Sequence, residues 1–240
     1  MTIALRRAMN AASALALCAT GAMAQDRGVT YTLFGTPGLI EMPSAISADD
    51  GQIAGTLSFF GGEIRSNFTF QITPRLSGTF RYAGVDNYEP WRDDRYFDRS
   101  FDLRYRFTDE GTYMPMIAVG LQDFLGTGLY SAEYLVATKT IGDSLRVTAG
   151  LGWGRLGSYN GFSNPLGLGD RPAGWTPGEP GGNFEPDTWF RGDAAFFGGV
   201  EWAPNSNWLV KVEYSSDDDY RDLAGDRLFE RRSPLNFGVN

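Results

Sequence analysis

Hydrophobic and polar side chains alternate along most of this chain. In Phe101-Asp102-Leu103-Arg104-Tyr105-Arg106-Phe107 the apolar residues fall on one face, and Asp102, Arg104 and Arg106 on the other. Successive side chains of a strand point to opposite faces, so a period of two marks a strand. The same alternation runs through Leu145 to Trp153, Trp208 to Tyr214 and Phe68 to Ile72, and helical spacing fits none of them. The pattern predicts strands near 52–60, 63–72, 76–84, 99–107, 115–123, 129–140, 145–155, 191–203 and 207–215, with a tenth starting near 235. A short extended piece near 37–43 precedes them. Gly61-Gly62, Thr73-Pro74, Gly142-Asp143 and Pro204-Asn205 supply turn chemistry between strands. The fold class expected is all-β, an antiparallel up-and-down meander of about ten strands forming a complete or incomplete outer-membrane-type β-barrel.

Loop lengths support the meander. The long connections, near 85–98, 156–190 and 216–234, fall by parity on one end of the sheet. The connections around Thr73-Pro74, Thr108 to Tyr113, Ile141 to Asp143 and Pro204 to Ser206 are short and fall on the other. Outer-membrane barrels share this asymmetry of long external loops and tight periplasmic turns.

The two faces differ in what they can meet. Phe101, Leu103, Tyr105, Leu145, Val147, Trp153, Trp208, Val210 and Tyr214 form the apolar face. Arg81, Asp102, Arg104, Arg106, Glu133, Lys139, Arg146, Lys211 and Glu213 are the candidate lumen-facing residues. Facing lipid, each charge would cost about 2–4 kcal/mol near the midplane, whereas opposite charges across a lumen can pair. A soluble sandwich or lipocalin-like barrel puts the apolar face inside and shows the same alternation, so the pattern alone leaves both open.

The N-terminus favours the membrane form. Arg6 and Arg7, the apolar run Ala11 to Cys18 and the small-x-small site Ala22-Met23-Ala24 make a secretory signal peptide over residues 1–24. Leu17 stands where a lipobox carries a small residue, so Cys18 is not expected to be lipidated. Cleavage near Ala24 leaves an N-terminal extended segment, 25–51, and a barrel domain, 52–240. The expected location is the outer membrane of a Gram-negative bacterium, with outer-membrane lipid as a partner. No later run reaches the roughly 18 apolar residues of a transmembrane helix, so only a barrel takes the mature chain across a membrane.

Composition narrows the chemistry. Of 240 residues 31 are glycine and none is histidine, which excludes Ser-His-Asp catalysis and His-ligated zinc. Processing removes Cys18 and two arginines but no acid, moving the formal net charge from −8 to −10. That disfavours a nucleic-acid partner. Asp93-Asp94 and Asp217-Asp218-Asp219 carry carboxylates of the kind calcium takes but lack EF-hand spacing, and the solvated-loop reading is favoured. No carboxylate pair is identified by its spacing as a glycosidase pair. Gly150-Leu151-Gly152 opens a loop and is no dinucleotide fingerprint. Trp175, Phe184 and Trp189, in a Gly/Pro-rich loop, are candidate glycan-stacking aromatics that also suit packing onto the rim. No catalytic, cofactor-binding or metal-binding residues are expected.

Thr36-Pro37-Gly38-Leu39-Ile40-Glu41-Met42-Pro43-Ser44-Ala45 resembles the opening motif of the YjbH family of exopolysaccharide-associated outer-membrane proteins. Val119-Gly120-Leu121-Gln122-Asp123-Phe124-Leu125-Gly126-Thr127-Gly128-Leu129-Tyr130, running on to Ala137, matches more strongly, and Gly150 to Gly157 follows in order. The resemblance spans roughly 30–240. It implies a non-catalytic barrel in production or secretion of exopolysaccharide or capsule, with an exported polysaccharide and other export proteins as partners. Family members are usually longer, and Phe237-Gly238-Val239-Asn240 reads as the inside of a strand, so a truncated or fragmentary member is expected. The competing classes are a membrane-embedded enzyme on glycan or lipid, weakened by the missing histidine, and a soluble periplasmic ligand-binding barrel. Arginine outnumbers lysine 17 to 2 in the mature chain, which suits bidentate contacts to acidic sugars.

Overall fold

A computed structural model describes residues 28–89, 91, 93–172 and 182–240. The export signal expected over residues 1–24 lies outside the described residues. Ten long strands follow in order: β1 (Ile53–Phe60), β2 (Glu63–Gln71), β3 (Leu76–Val85), β4 (Tyr96–Thr108), β5 (Met116–Gly126), β6 (Ala132–Ile141), β7 (Leu145–Gly154), β9 (Ala194–Asn205), β10 (Trp208–Tyr214) and β11 (Leu235–Val239). A two-residue strand, β8 (Asn183–Phe184), adds to the end of β5. Each expected strand lies within about three residues of an observed one.

Among the described residues every pairing is antiparallel, and apart from β8 on β5 the strands are ordered as in the sequence, β1 through β7, then β9, β10 and β11. No pairing joins β1 to β11 among the described residues, so the sheet is not closed. It bends into a trough. Turns after β2, β6 and β9 are short, while the connections after β3, β7 and β10 stand together at the opposite end.

Alternation sorts the side chains onto two surfaces. Along β2, Glu63, Arg65, Asn67, Thr69 and Gln71 are buried while Phe68 and Phe70 are exposed. Along β4, Asp98, Ser100, Asp102 and Arg104 are buried while Phe97, Phe101, Leu103, Tyr105 and Phe107 are exposed. The concave face is polar and buried; the convex face is apolar and bare.

Residues 28–51 explain this inversion. The sequence suggests an extended piece here; instead the chain doubles back through Tyr31–Pro37 and Gly38–Pro43 bridges and packs into the trough as a strap. Leu39, Met42 and Ala45 form a buried cluster with Met116, Ala118, Tyr134, Val136 and Phe197 of the wall. Leu33 and Phe34 form a second with Ala83 and Tyr130. The core thus lies between strap and wall.

Glycine lets bulky concave side chains lie flat. A Cβ on Gly150 would stand 2.2 Å from the Phe197 ring, which is buried against the neighbouring strand. We expect Gly150→Val to destabilise the fold by about 1–3 kcal/mol through overpacking. Gly78→Val, whose Cβ meets nothing closer than 3.6 Å, serves as control; chemical denaturation of both variants checks this.

Candidate functional site

The polar trough and its strap are the most densely organised feature of the molecule. A strap without a regular ladder buries peptide groups that need partners, and the wall side chains supply them. Ser58 and Thr69 hydroxyls donate to the Leu33 and Gly35 carbonyls, each at 2.7 Å. Arg81 donates to the Phe34 carbonyl at 3.0 Å. Arg104 reaches the Ile46 carbonyl at 2.6 Å and that of Ser44 at 3.2 Å. Lys211 Nζ donates to the Leu39 carbonyl at 2.8 Å. In the other direction, Thr138 Oγ1 accepts from the Ala45 amide at 2.9 Å.

Glu213 holds the tightest part of the strap. Its Oε2 accepts the amides of Ile40, Glu41 and Met42 at 2.8, 2.9 and 2.9 Å, and Asn236 donates to Oε1 at 2.9 Å. A fully buried carboxylate is tolerated because it is this thoroughly hydrogen-bonded. The Glu41 side chain turns toward the long-loop end, where Tyr220 and Ser215 hydroxyls donate to it at 2.9 Å. Burial, and then the nearby Asp217 carboxylate, pushes the Glu41 carboxyl up.

Buried guanidinium groups close that end of the trough. Arg65 and Arg155 lie over the Phe34 ring, 4.2 and 4.0 Å from its centroid, within cation–π range. Arg65 pairs with Glu63, and Arg155 with Asp217. Asp217, read from sequence as a solvated loop acid, is therefore wholly buried. Asp218 does lie in the loop, where the Arg227 hydrogen bond holds its carboxyl below the usual range.

The structure places most of the charges singled out in the sequence on the concave face. Arg81 pairs with Asp102. Arg146 and Lys211 stand 3.4 and 3.8 Å from Glu201. Arg106 sits at the short-turn rim, donating to the Pro74 carbonyl at 3.0 Å and pairing with Asp109 at 3.2 Å. Glu133 and Lys139 require correction. In the β6–β7 register they lie opposite Trp153 and Val147, sharing the convex face with exposed Leu135. Each is neutralised locally. Arg171 from the long loop clasps Glu133 at 2.7 and 2.9 Å, and Lys139 meets Glu110 at 2.9 Å.

Of the loop aromatics, Phe184 and Trp189 meet edge to face, 5.1 Å between centroids, with Phe184 exposed. Trp175 lies outside the described residues. Residues not singled out in the sequence, Ser58, Arg65, Thr69, Thr138 and Arg155, do as much at the strap as those that were. The buried polar row Glu63, Arg65, Asn67, Thr69, Gln71 alternates as regularly as 101–107 and was the signal available.

Among the described residues no group of three or more acidic side chains is placed to hold a metal. Among the described residues no helix is long and apolar enough to cross a membrane, which says nothing of a crossing by strands. The comparisons with known proteins point one way. The family model of the exopolysaccharide biosynthesis protein YbjH matches residues 30–240. The uncharacterized lipoprotein YjbH of Escherichia coli (strain K12) is 33% identical over 244 residues, covering 94% of this chain and 34% of that protein. The chain therefore spans about a third of the length of this curated relative. No solved structure matches. With its opening motif forming the strap and its second motif forming β5 and the turn after it, the chain belongs to the YjbH family of exopolysaccharide biosynthesis proteins.

Proposed function

We propose that this protein forms part of the wall of an outer-membrane β-barrel and serves exopolysaccharide secretion as a non-catalytic component. The observation that carries the reading is the reversed polarity of the sheet. A soluble barrel buries its apolar face; here Phe101, Leu103, Tyr105, Trp202, Trp208 and Phe237 point outward and bare while charges pack inside. A contiguous apolar band on strands is what lipid accepts and water does not.

The strap refines the role. Its chain fills the trough, so the arginines of the wall are already engaged, Arg81 and Arg104 by strap carbonyls and Arg65, Arg146 and Arg155 by buried carboxylates. We therefore favour a docking or assembly role at the long-loop end over a continuously open conduit. The free edges of β1 and β11 need strand partners in hydrocarbon, where unpaired peptide groups cost several kcal/mol each. Further antiparallel strands would complete the wall.

The relative from Escherichia coli is named a lipoprotein, which supports an envelope location. For this chain we keep cleavage after Ala24, because Leu17 precedes Cys18.

Deleting the gene and measuring secreted polysaccharide tests the role. The reading expects loss or shortening of an extracellular polymer, restored by the full-length gene; an unchanged polymer profile contradicts it.

A further inference from the structure

The convex face is almost free of charge. Among the described residues, the charged side chains that its strands present are Arg99, Glu133 and Lys139. Arg171 neutralises Glu133, and Glu110 neutralises Lys139. Arg99 is exposed and meets no carboxylate among the described residues. Asp86, just beyond β3, is taken by Arg95, which donates to it at 2.7 and 3.1 Å. The Arg99 guanidinium instead lies over the ring of its cross-strand neighbour Tyr82, 5.5 Å from the centroid. That ring stacks in turn on Phe97, with 5.6 Å between centroids and 13° between planes. A cation and its aromatic platform thus stand on a face that otherwise suits hydrocarbon.

Height places this cluster. β4 starts at the long-loop end with Tyr96, and Leu103 lies midway along it. Arg99 stands about 13 Å from Leu103 along the strand, at about 3.3 Å per residue. At a strand tilt of about 40° that is about 10 Å of height, against a half-height of about 12 Å for the apolar band. The Arg99 backbone therefore lies just inside the external edge, and its long side chain reaches the headgroup layer. Below it, exposed Phe101 and Leu103 continue the apolar surface. A ligand that fits carries an anionic group level with Arg99 and hydrocarbon beneath it.

We propose, resting on the lipid-facing reading of the convex face, that Arg99, backed by Tyr82, binds a phosphate of lipid A, the phosphorylated glycolipid of the external leaflet. An unpaired guanidinium in lipid is unfavourable without an anion, and its planar fork matches phosphate oxygens bidentately. A free phosphate would use the cation alone. Lipid A also covers the apolar strip below, and the long loops put this edge of the wall in its leaflet.

The chain, extracted in detergent from outer membranes, is titrated with diphosphoryl lipid A, and bound lipid is read by native mass spectrometry. The expected result is saturable binding that Arg99→Gln weakens about tenfold or more, as loss of a charge-assisted contact does. Arg99→Lys, which keeps the charge but not the fork, should weaken it less. Arg75→Gln, at the short-turn end where Arg75 pairs with Asp109, should bind as the unsubstituted chain does. Equal affinity in Arg99→Gln overturns the proposal, as does equal binding of phosphatidylglycerol or of lipid A stripped of its phosphates. If Arg99→Gln does not insert, intact against dephosphorylated lipid A on the unsubstituted chain decides. A chain recovered only as soluble protein overturns the lipid-facing reading and this site together. A membrane-inserted chain with no preference for lipid A overturns this site alone.

Discussion

Glu213→Ala should release the strap from the trough. One carboxylate oxygen caps three successive strap amides at Ile40, Glu41 and Met42, and nothing else in that buried space replaces it. Each buried donor left without a partner costs about 1–3 kcal/mol. Some of that is recovered by relaxation, so we expect a net loss on the order of 3–5 kcal/mol, the range for breaking a buried charged contact. Asn236 loses one of its acceptors at the same time. The measurement is limited proteolysis with thermal unfolding in detergent. Cleavage should appear first within residues 28–51, and Glu213→Gln, which keeps one acceptor oxygen, should recover part of the loss. Equal protection of the strap in Glu213→Ala would show that apolar packing by Leu39 and Met42 holds it alone.

Leu103→Arg carries the second large effect, and its sign separates two accounts of the molecule. Leu103 lies midway along β4 on the convex face, pairs with Leu121 and is 36% exposed. In a bilayer an arginine near the midplane of a barrel's outer face costs about 2–4 kcal/mol, so the variant should assemble poorly and be degraded in the envelope. In water the same change covers part of an exposed apolar band with charge and should improve solubility. Comparing the membrane-inserted yield of Leu103→Arg with that of Arg99→Leu, an apolar change on the same face, reads the sign. Full insertion of Leu103→Arg contradicts a lipid-facing convex surface.

The strands were legible because one physical rule writes them: a wall between two different environments needs side chains of two kinds in alternation. Segment 101–107 displays it without interruption, and the turn glycines mark where it stops. Glu133 and Lys139 were misassigned because β6 breaks that rule. Tyr134 and Val136 pack on the concave face against the strap, while Leu135 and Ala137 lie outside, so apolar residues occupy both faces. Charge then ceases to indicate direction; Glu133 is outward yet buried, because the loop carrying Arg171 and Phe190 folds down over it.

The strap was hidden for a different reason. Its Pro37, Gly38 and Pro43 show where the chain turns, but its partners lie as far as 195 residues away along the chain. No local pattern encodes such contacts. The bulge at Asp123, where the β4–β5 register shifts between the Phe101–Leu125 and Leu103–Leu121 pairs, was equally silent, since Gln122-Asp123-Phe124 reads as continuing alternation. A Cβ on Gly126 would meet Asp123 Oδ1 at 1.9 Å, and Gly128 takes φ of 82°, so each glycine of Gly126-Thr127-Gly128 has its own reason.

The account's central claim is that this sheet meets lipid with its convex face. Its most direct test is to express the chain with its signal peptide, separate inner and outer membranes, and run the outer-membrane fraction with and without heating. A band in that fraction whose mobility changes on heating is the predicted result, because a folded membrane barrel resists detergent until heated. Recovery of folded protein in the soluble periplasmic fraction would contradict it.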